Sequence, residues 1–180
     1  MWGELVSNEV LDAIKDRRSI KKFKPTPVEE DEIREILEAG RWAPSRMNKQ
    51  PWKFVVIRDD ETLEKINDHV PMFFSSGVLT APVAIAVLVD PEEEPHHFIE
   101  DGAAVTQNMT LAAHSLGLGS TWIGVFDLEK KDRSREKMIK KILDVPNSWR
   151  LISILPIGEP EEVPGSERKD ISSLVYKEIP

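Results

Sequence analysis

Arg17, Arg18, Lys21, Lys22 and Lys24 place five of the chain's 24 basic residues within eight positions, with no acid among them. The formal net charge is −8, so this local excess runs against the balance of the whole molecule. A protein that gathers positive charge in one place holds an anion there. Complementing a helix dipole is the plainer explanation for the two arginines, but it does not reach Ser19 and Lys21. A second polar group lies in Ala43-Pro44-Ser45-Arg46-Met47-Asn48-Lys49-Gln50-Pro51. Proline disfavours helix in the residue before it, so Ala43 and Gln50 are poor helix positions. The stretch reads as a stiffened loop between a helix and a strand, offering Ser45, Arg46, Asn48 and Gln50 to a ligand. An ordinary helix-to-strand connection is the alternative. Gly124 adds a third element: after a strand, a residue without a side chain leaves its backbone N–H open to close approach.

These groups bind; none is arranged to catalyse. The chain has no cysteine, which excludes disulfides, thiolate catalysis, Fe–S clusters and cysteine-based zinc sites. No serine stands in a nucleophile-elbow context. His96 and His97 are adjacent and face different ways, so a solvated turn explains them better than a metal. His114 reads as a packed or hydrogen-bonded core histidine, and Glu92, Glu93 and Glu94 as a solvated turn. Asn108-Met109-Thr110 matches a glycosylation sequon but falls in a predicted helix. Leu116-Gly117-Leu118-Gly119-Ser120-Thr121-Trp122-Ile123-Gly124 imitates a dinucleotide fingerprint with the order reversed, helix before the glycines and strand after, so a Rossmann site is rejected. An anion site, a polar loop and an open backbone position together suit a bound cofactor that carries the chemistry itself.

The elements that must position these groups follow from pattern. At 180 residues, 40% hydrophobic and 31% charged, the composition is that of one soluble globular domain. The net charge argues against nucleic acid as the main partner. The first twenty residues lack the apolar block of a signal peptide, and the longest apolar runs are too short to span a bilayer. The expectation is a cytoplasmic protein. Ser7 is the predicted N-cap of a first helix with an apolar face of Val10, Leu11 and Ile14. Thr26-Pro27-Val28-Glu29 predicts a second, with Thr26 as cap and Glu29 closing a capping box. A strand over Phe54–Arg58 follows, then a helix capped by Asp60 and stopped by Pro71. Met72–Thr80 is a loop or short helix showing Phe73 and Phe74. Val83–Val89 is a central strand covered on both faces. A long, small-residue helix spans about His97 to Leu116 and suits close packing, including against a partner subunit. Ser120–Ile123 is a strand, Lys131–Leu143 a helix and Trp149–Ile157 the last core strand. The apolar tail Ile171, Leu174 and Val175 needs something to pack on. This alternation predicts an α+β or α/β sandwich around a central sheet.

Four separated segments resemble one family in order along the chain. Arg17-Arg18-Ser19-Ile20-Lys21-Lys22-Phe23, Ala43-Pro44-Ser45-Arg46-Met47-Asn48-Lys49-Gln50-Pro51-Trp52, Asp101–Met109 continuing into Leu116–Gly124, and Leu155-Pro156-Ile157-Gly158 are similar to the nitroreductase family of FMN-dependent oxidoreductases. The resemblance implies an α+β fold, an α/β/α sandwich with a central, mainly antiparallel sheet, over residues 1–180 as a single domain. It also implies an intertwined homodimer, with the tail from about residue 165 packing on the partner subunit and two FMN sites at the interface. Carried over by position, Arg17, Arg18 and Ser19 hold the phosphate and ribityl end of FMN, and Lys21 lies toward the pyrimidine edge. Pro44, Ser45, Arg46 and Asn48, with Gln50 in the same loop, come from the other subunit. Ile123 and Gly124 lie beside the reactive ring nitrogen, and Arg168 and Lys169 close on the phosphate.

The activity implied is a two-step hydride transfer. NADH or NADPH reduces bound FMN, which then reduces a small acceptor such as a nitroaromatic or quinone, with no side chain as covalent catalyst. Larger members carry an Asn and a Lys where this chain has Phe74 and Gly77, some carry an acid at the Gly124 position, and they insert a lid where Asp90–His97 is short. These departures imply a more open pocket faced by Phe73 or Phe74. They also leave room for a relative with other flavin chemistry, reductive dehalogenation or flavin cleavage, or for a non-catalytic FMN-binding redox sensor.

Overall fold

The computed structural model describes residues 7–127 and 134–177. Its centre is strand β2 (Val83–Val89), apolar throughout and buried throughout. Alternate side chains of β2 serve two separate cores, because strand residues point to opposite faces. Val83, Ile85, Val87 and Val89 join one core, and Ala84, Ala86 and Leu88 the other. A continuous apolar strand therefore demands a layer on each side, and the helices supply both.

Strands β1 (Trp52–Ile57), β3 (Gly119–Ser120), β4 (Ile123–Gly124) and β5 (Arg150–Gly158) complete an antiparallel sheet in the order β1-β2-β5-β3, with β4 also on β5. One face is covered by α2 (Glu30–Arg41) and α5 (Phe98–Ser115), through Ile33, Ile36, Val105, Met109 and Ala113. The other is covered by α3 (Asp60–Asn67), α4 (Met72–Thr80) and α6 (Arg135–Ile142), through Leu63, Ile66, Val78 and Ile139. Helix α1 (Glu9–Asp16) buries no residue, and Val10 on its predicted apolar face is 68% exposed.

Several boundaries differ from the sequence expectation, each for a local reason. Asn8, not Ser7, caps α1, its side chain accepting from Leu11 N–H at 2.9 Å, while Ser7 donates to Asp12. Helix α2 starts at Glu30 with Glu29 as cap. The side chain of Glu32 accepts from Glu29 N–H at 2.9 Å and Glu29 accepts in return. Val28 and Ile33, both buried in one core, staple the entry, and Thr26 donates to Glu159 at 2.8 Å. Asp59 rather than Asp60 caps α3. The strand foreseen over Ser120–Ile123 divides into β3 and β4. Pro156 on β5 accepts from Thr121 N–H at 3.3 Å but has no N–H to return, so the ladder lapses there. Met72–Thr80 is a helix, and residues 131–133 of the foreseen α6 lie outside the described residues.

The register between β2 and β5 shifts between Val87 and Leu88. The extra residue is Ile152, which packs with Val89 and Val105 in the core under α5. A bulge of this kind re-aims side chains locally. It leaves Ser153 also facing α5, where its hydroxyl lies 2.9 Å from Thr106 Oγ1.

Candidate functional site

The five-residue basic cluster resolves into two kinds of cation. Lys22 and Lys24 pair with Glu161 at 2.8 Å and Glu159 at 2.5 Å. Backbone bonds from Lys24 N–H to Glu159 O and from Glu161 N–H to Lys22 O stitch the same two segments. These lysines hold structure rather than await a ligand. Arg17 and Arg18, by contrast, have no carboxylate within ion-pair distance among the described residues. Burial first, then repulsion from Arg168 and Arg18, holds the Arg17 guanidinium below the ordinary arginine value. Arg18 and Arg168 thus both act on Arg17, an arrangement that a bound oxyanion would relieve.

Arg17 and Arg18 line a cavity of about 150 Å³ with His114, Ser120, Pro160 and Val163. Ser120 Oγ is buried there without a hydrogen-bond partner. His114 is half-buried in the cavity wall rather than in the core. Ser19 forms a bridge to Ser120, and Ile20 N–H donates to Ser120 O at 3.0 Å, which locks the segment after α1 onto β3. Gly119 permits that approach: a Cβ there would lie 2.5 Å from Ile20 Cγ1. Gly124 is exposed on β4, and a Cβ built on it would meet nothing within 4 Å, so its backbone faces open space beside buried Ile123.

Lys21 points elsewhere. Its Nζ sits 3.5 Å from the centroid of Phe73, a cation–π contact, and Phe73 meets Phe74 edge-on at 5.2 Å. Phe73 is 64% exposed, so α4 presents an aromatic surface next to Lys21. Lys169 is exposed.

The loop of residues 44–50 is built under backbone tension. Met47, Asn48 and Gln50 have φ of 51°, 56° and 52°, the left-handed region that Asn tolerates and others enter at a cost of about 1–3 kcal/mol each. Polar bonds hold it: Ser45 Oγ accepts from Gln50 N–H at 2.9 Å, and Gln50 Nε2 donates to Asn48 Oδ1 at 3.2 Å. Asp101 Oδ1 accepts from Arg46 N–H at 3.2 Å. An open cleft of about 430 Å³ runs along Pro44, Ser45, Arg46, His97 and Asp101.

Glu94 is the residue sequence reasoning missed. It was expected in a solvated turn, yet its side chain is completely buried and faces Arg46 Nη1 at 3.4 Å and Lys49 Nζ at 3.9 Å. Glu92 and Glu93 are exposed, as expected.

The two halves of the candidate site do not meet within one chain. The 44–50 loop packs by the start of α5, near His97 and Asp101, and the arginines line a cavity by its end, near Thr110 and His114. Thirteen residues from Asp101 to His114 at 1.5 Å each separate them by about 20 Å along the helix. Among the described residues no group of His, Asp or Glu could hold a metal ion, and no helix is long and apolar enough to cross a membrane.

Helices covering both faces of an antiparallel sheet, with arginines that no carboxylate pairs and a strained polar loop at opposite ends of the longest helix among the described residues, define a fold shared with known proteins. The chain belongs to the Nitroreductase family, whose sequence model matches residues 14–78 and 71–159. A relative from Methanothermobacter thermautotrophicus, whose name pairs NADH dehydrogenase with NAD(P)H nitroreductase, is 40% identical over 91% of this chain and 84% of its own. The FMN-dependent nitroreductase of Clostridium difficile R20291 superposes with a TM-score of 0.80 at 32% identity, over 94% of this chain and 96% of that one. A Desulfovibrio desulfuricans protein solved in complex with FMN gives 0.84 at 31%, over 97% and 99%.

Proposed function

We propose that this protein is an FMN-dependent NAD(P)H oxidoreductase that works as a homodimer and passes a hydride to a small organic acceptor such as a nitroaromatic or quinone. The observation that carries the reading is the cavity lined by Arg17 and Arg18, neither of them paired with a carboxylate among the described residues, with Arg168 close enough to act on Arg17. Beside it lies a buried serine hydroxyl with no partner. Both features fit a phosphate monoester: the guanidinium groups supply forked, charge-assisted donors, and the hydroxyl supplies one more.

FMN, when bound, supplies the hydride chemistry: acceptance from the nicotinamide and donation to the acceptor. The chain's own residues bind, orient and tune. Arg17, Arg18, Ser19 and Arg168, with Lys169 nearby, hold the phosphate end. Lys21 brings positive charge toward the ring and Phe73 with it, an apolar surface suited to flat aromatic acceptors. Ile123 fills the space under β4 while the bare backbone of Gly124 leaves the ring room to approach.

The second half of the site comes from the partner. A two-fold interface is self-complementary, and pairing two α5 helices antiparallel brings one chain's Pro44, Ser45, Arg46, Asn48 and Gln50 to the other's arginines. The exposed apolar residues Val10, Ile14, Ile171, Leu174, Val175 and Tyr176 supply a surface for that contact, with the tail crossing to the partner. The test is Arg17→Ala in the full protein. Losing a hydrogen bond to a charged group costs about 1.5–3 kcal/mol, so the FMN dissociation constant should rise on the order of ten- to a hundredfold in equilibrium titration. Unchanged FMN affinity would remove the phosphate assignment.

A further inference from the structure

Glu94 accepts from His96 N–H at 2.9 Å and His97 N–H at 3.2 Å through one oxygen, Oε1. That much secures its own turn, and a neutral glutamine oxygen could do it. The buried charge answers something else. Arg46 Nη1 lies 3.4 Å from Oε2 and Lys49 Nζ 3.9 Å away. No other carboxylate among the described residues is within ion-pair distance of either cation. Both cations are partly exposed, at 41% and 38%, and both sit on the loop that carries Met47, Asn48 and Gln50 at positive φ. Asp101 fixes the same loop from α5 through Arg46 N–H at 3.2 Å. The loop is therefore pinned at Arg46 by backbone and side chain together, and at Lys49 by charge. Burial works to raise the pKa of Glu94, but the two N–H donors and Arg46 together hold it below the ordinary carboxylate value, so the side chain is ionised at neutral pH.

We propose that Glu94 is a positioning residue for the flavin-contacting loop: it draws Arg46 and Lys49 back onto itself and sets the net charge that the loop presents to the flavin of the partner subunit. The inference rests on the FMN reading above. A cation near a flavin makes electron uptake easier, and charge near the ring is a lever by which a protein tunes it. With Glu94 in place, three charged groups sum to one positive charge. In its absence the loop carries two, on side chains free to swing outward.

The experiment is a redox titration of the FMN-loaded dimer. Glu94→Gln keeps the oxygen that His96 and His97 need and removes only the charge, so the midpoint potential of the bound flavin should shift positive. The pair Glu94→Gln with Arg46→Gln restores a single positive charge and should return the potential toward wild type. A merely structural role for Glu94 predicts no such shift and no such return. A Glu94→Gln protein that binds FMN at the wild-type potential overturns the proposal. If that variant does not fold, comparing the double variant with Arg46→Gln alone isolates the same change: a positive step supports the role and no step removes it. Wild-type protein that takes up no FMN is a different result, since it overturns the cofactor reading and not the anchoring of the loop.

Discussion

Asp101 on α5 and Glu94 in the turn before it are two buried carboxylates that hold one loop, and their environments push their pKa values apart. Burial, and after it the like charges of Glu94 and Glu100, raise Asp101 against the lowering effect of its bond from Arg46 N–H. A carboxyl raised in the folded state contributes stability that is full below its unfolded value, near 3.8, and lost as pH rises through its folded value. Asp101→Asn cannot ionise. Its stability relative to wild type should therefore improve between pH 3.5 and pH 7 in urea unfolding, and a gap that ignores pH would refute the assignment. Glu94 has the opposite sign, since its pKa is lowered. The stability it lends is present above its unfolded value and is lost as pH falls below about 4.5. At this scale the sequence was partly legible. The basic cluster and the polar loop stood out because charge and proline are local signals. Glu94 did not, because its burial depends on Arg46, 48 positions earlier, and three consecutive glutamates look alike until a partner selects one. The division of the cluster into clamped lysines and unpaired arginines was hidden for the same reason: Glu159 and Glu161 are more than 130 residues away.

Among the elements, short β3 and the segment Ser19–Phe23 depend on one another. Gly119 is where they come closest, with Ile20 Cβ at 2.9 Å and Pro160 Cγ at 3.0 Å from the place a Cβ would take, besides the closer Ile20 Cγ1. Gly119→Ala must push apart well-packed groups, and overpacking of that kind costs about 1–3 kcal/mol. Thermal unfolding should fall by several degrees, at about 2–4 °C per kcal/mol for a chain of this size. FMN affinity should fall too, because Ser19 and Arg17 move with the segment. Helices and long strands were legible because periodicity and apolar runs survive without context, and β2 and α5 lie within a residue or two of expectation. Caps were displaced by one to three residues, since Ser, Thr, Asn, Asp and Glu compete for adjacent positions and tertiary partners such as Glu159 decide the contest. The lapse between β3 and β4 was not legible. It is caused by a proline on a strand that follows by more than thirty residues.

At the level of the whole molecule, the layered order of the fold was legible from one apolar strand and the alternation around it. The exposed faces of α1 and of residues 171–176 show what a single chain leaves uncovered. Gel filtration with light scattering should give a dimer with about one FMN per chain, and dilution that separates the subunits should release the flavin. A stable monomer that keeps FMN would contradict the shared site. The separation of about 20 Å between the two half-sites has a further consequence for mixtures of defective chains. In the proposed dimer, Arg17→Ala would damage only the end of the site that its own chain provides, and a damaging substitution at Asn48 only the end lent to the neighbour. Co-expressed, the two would form hybrid molecules in which one site collects both lesions and the other has none. Two inactive proteins would together recover activity, and the recovered fraction would count the hybrids.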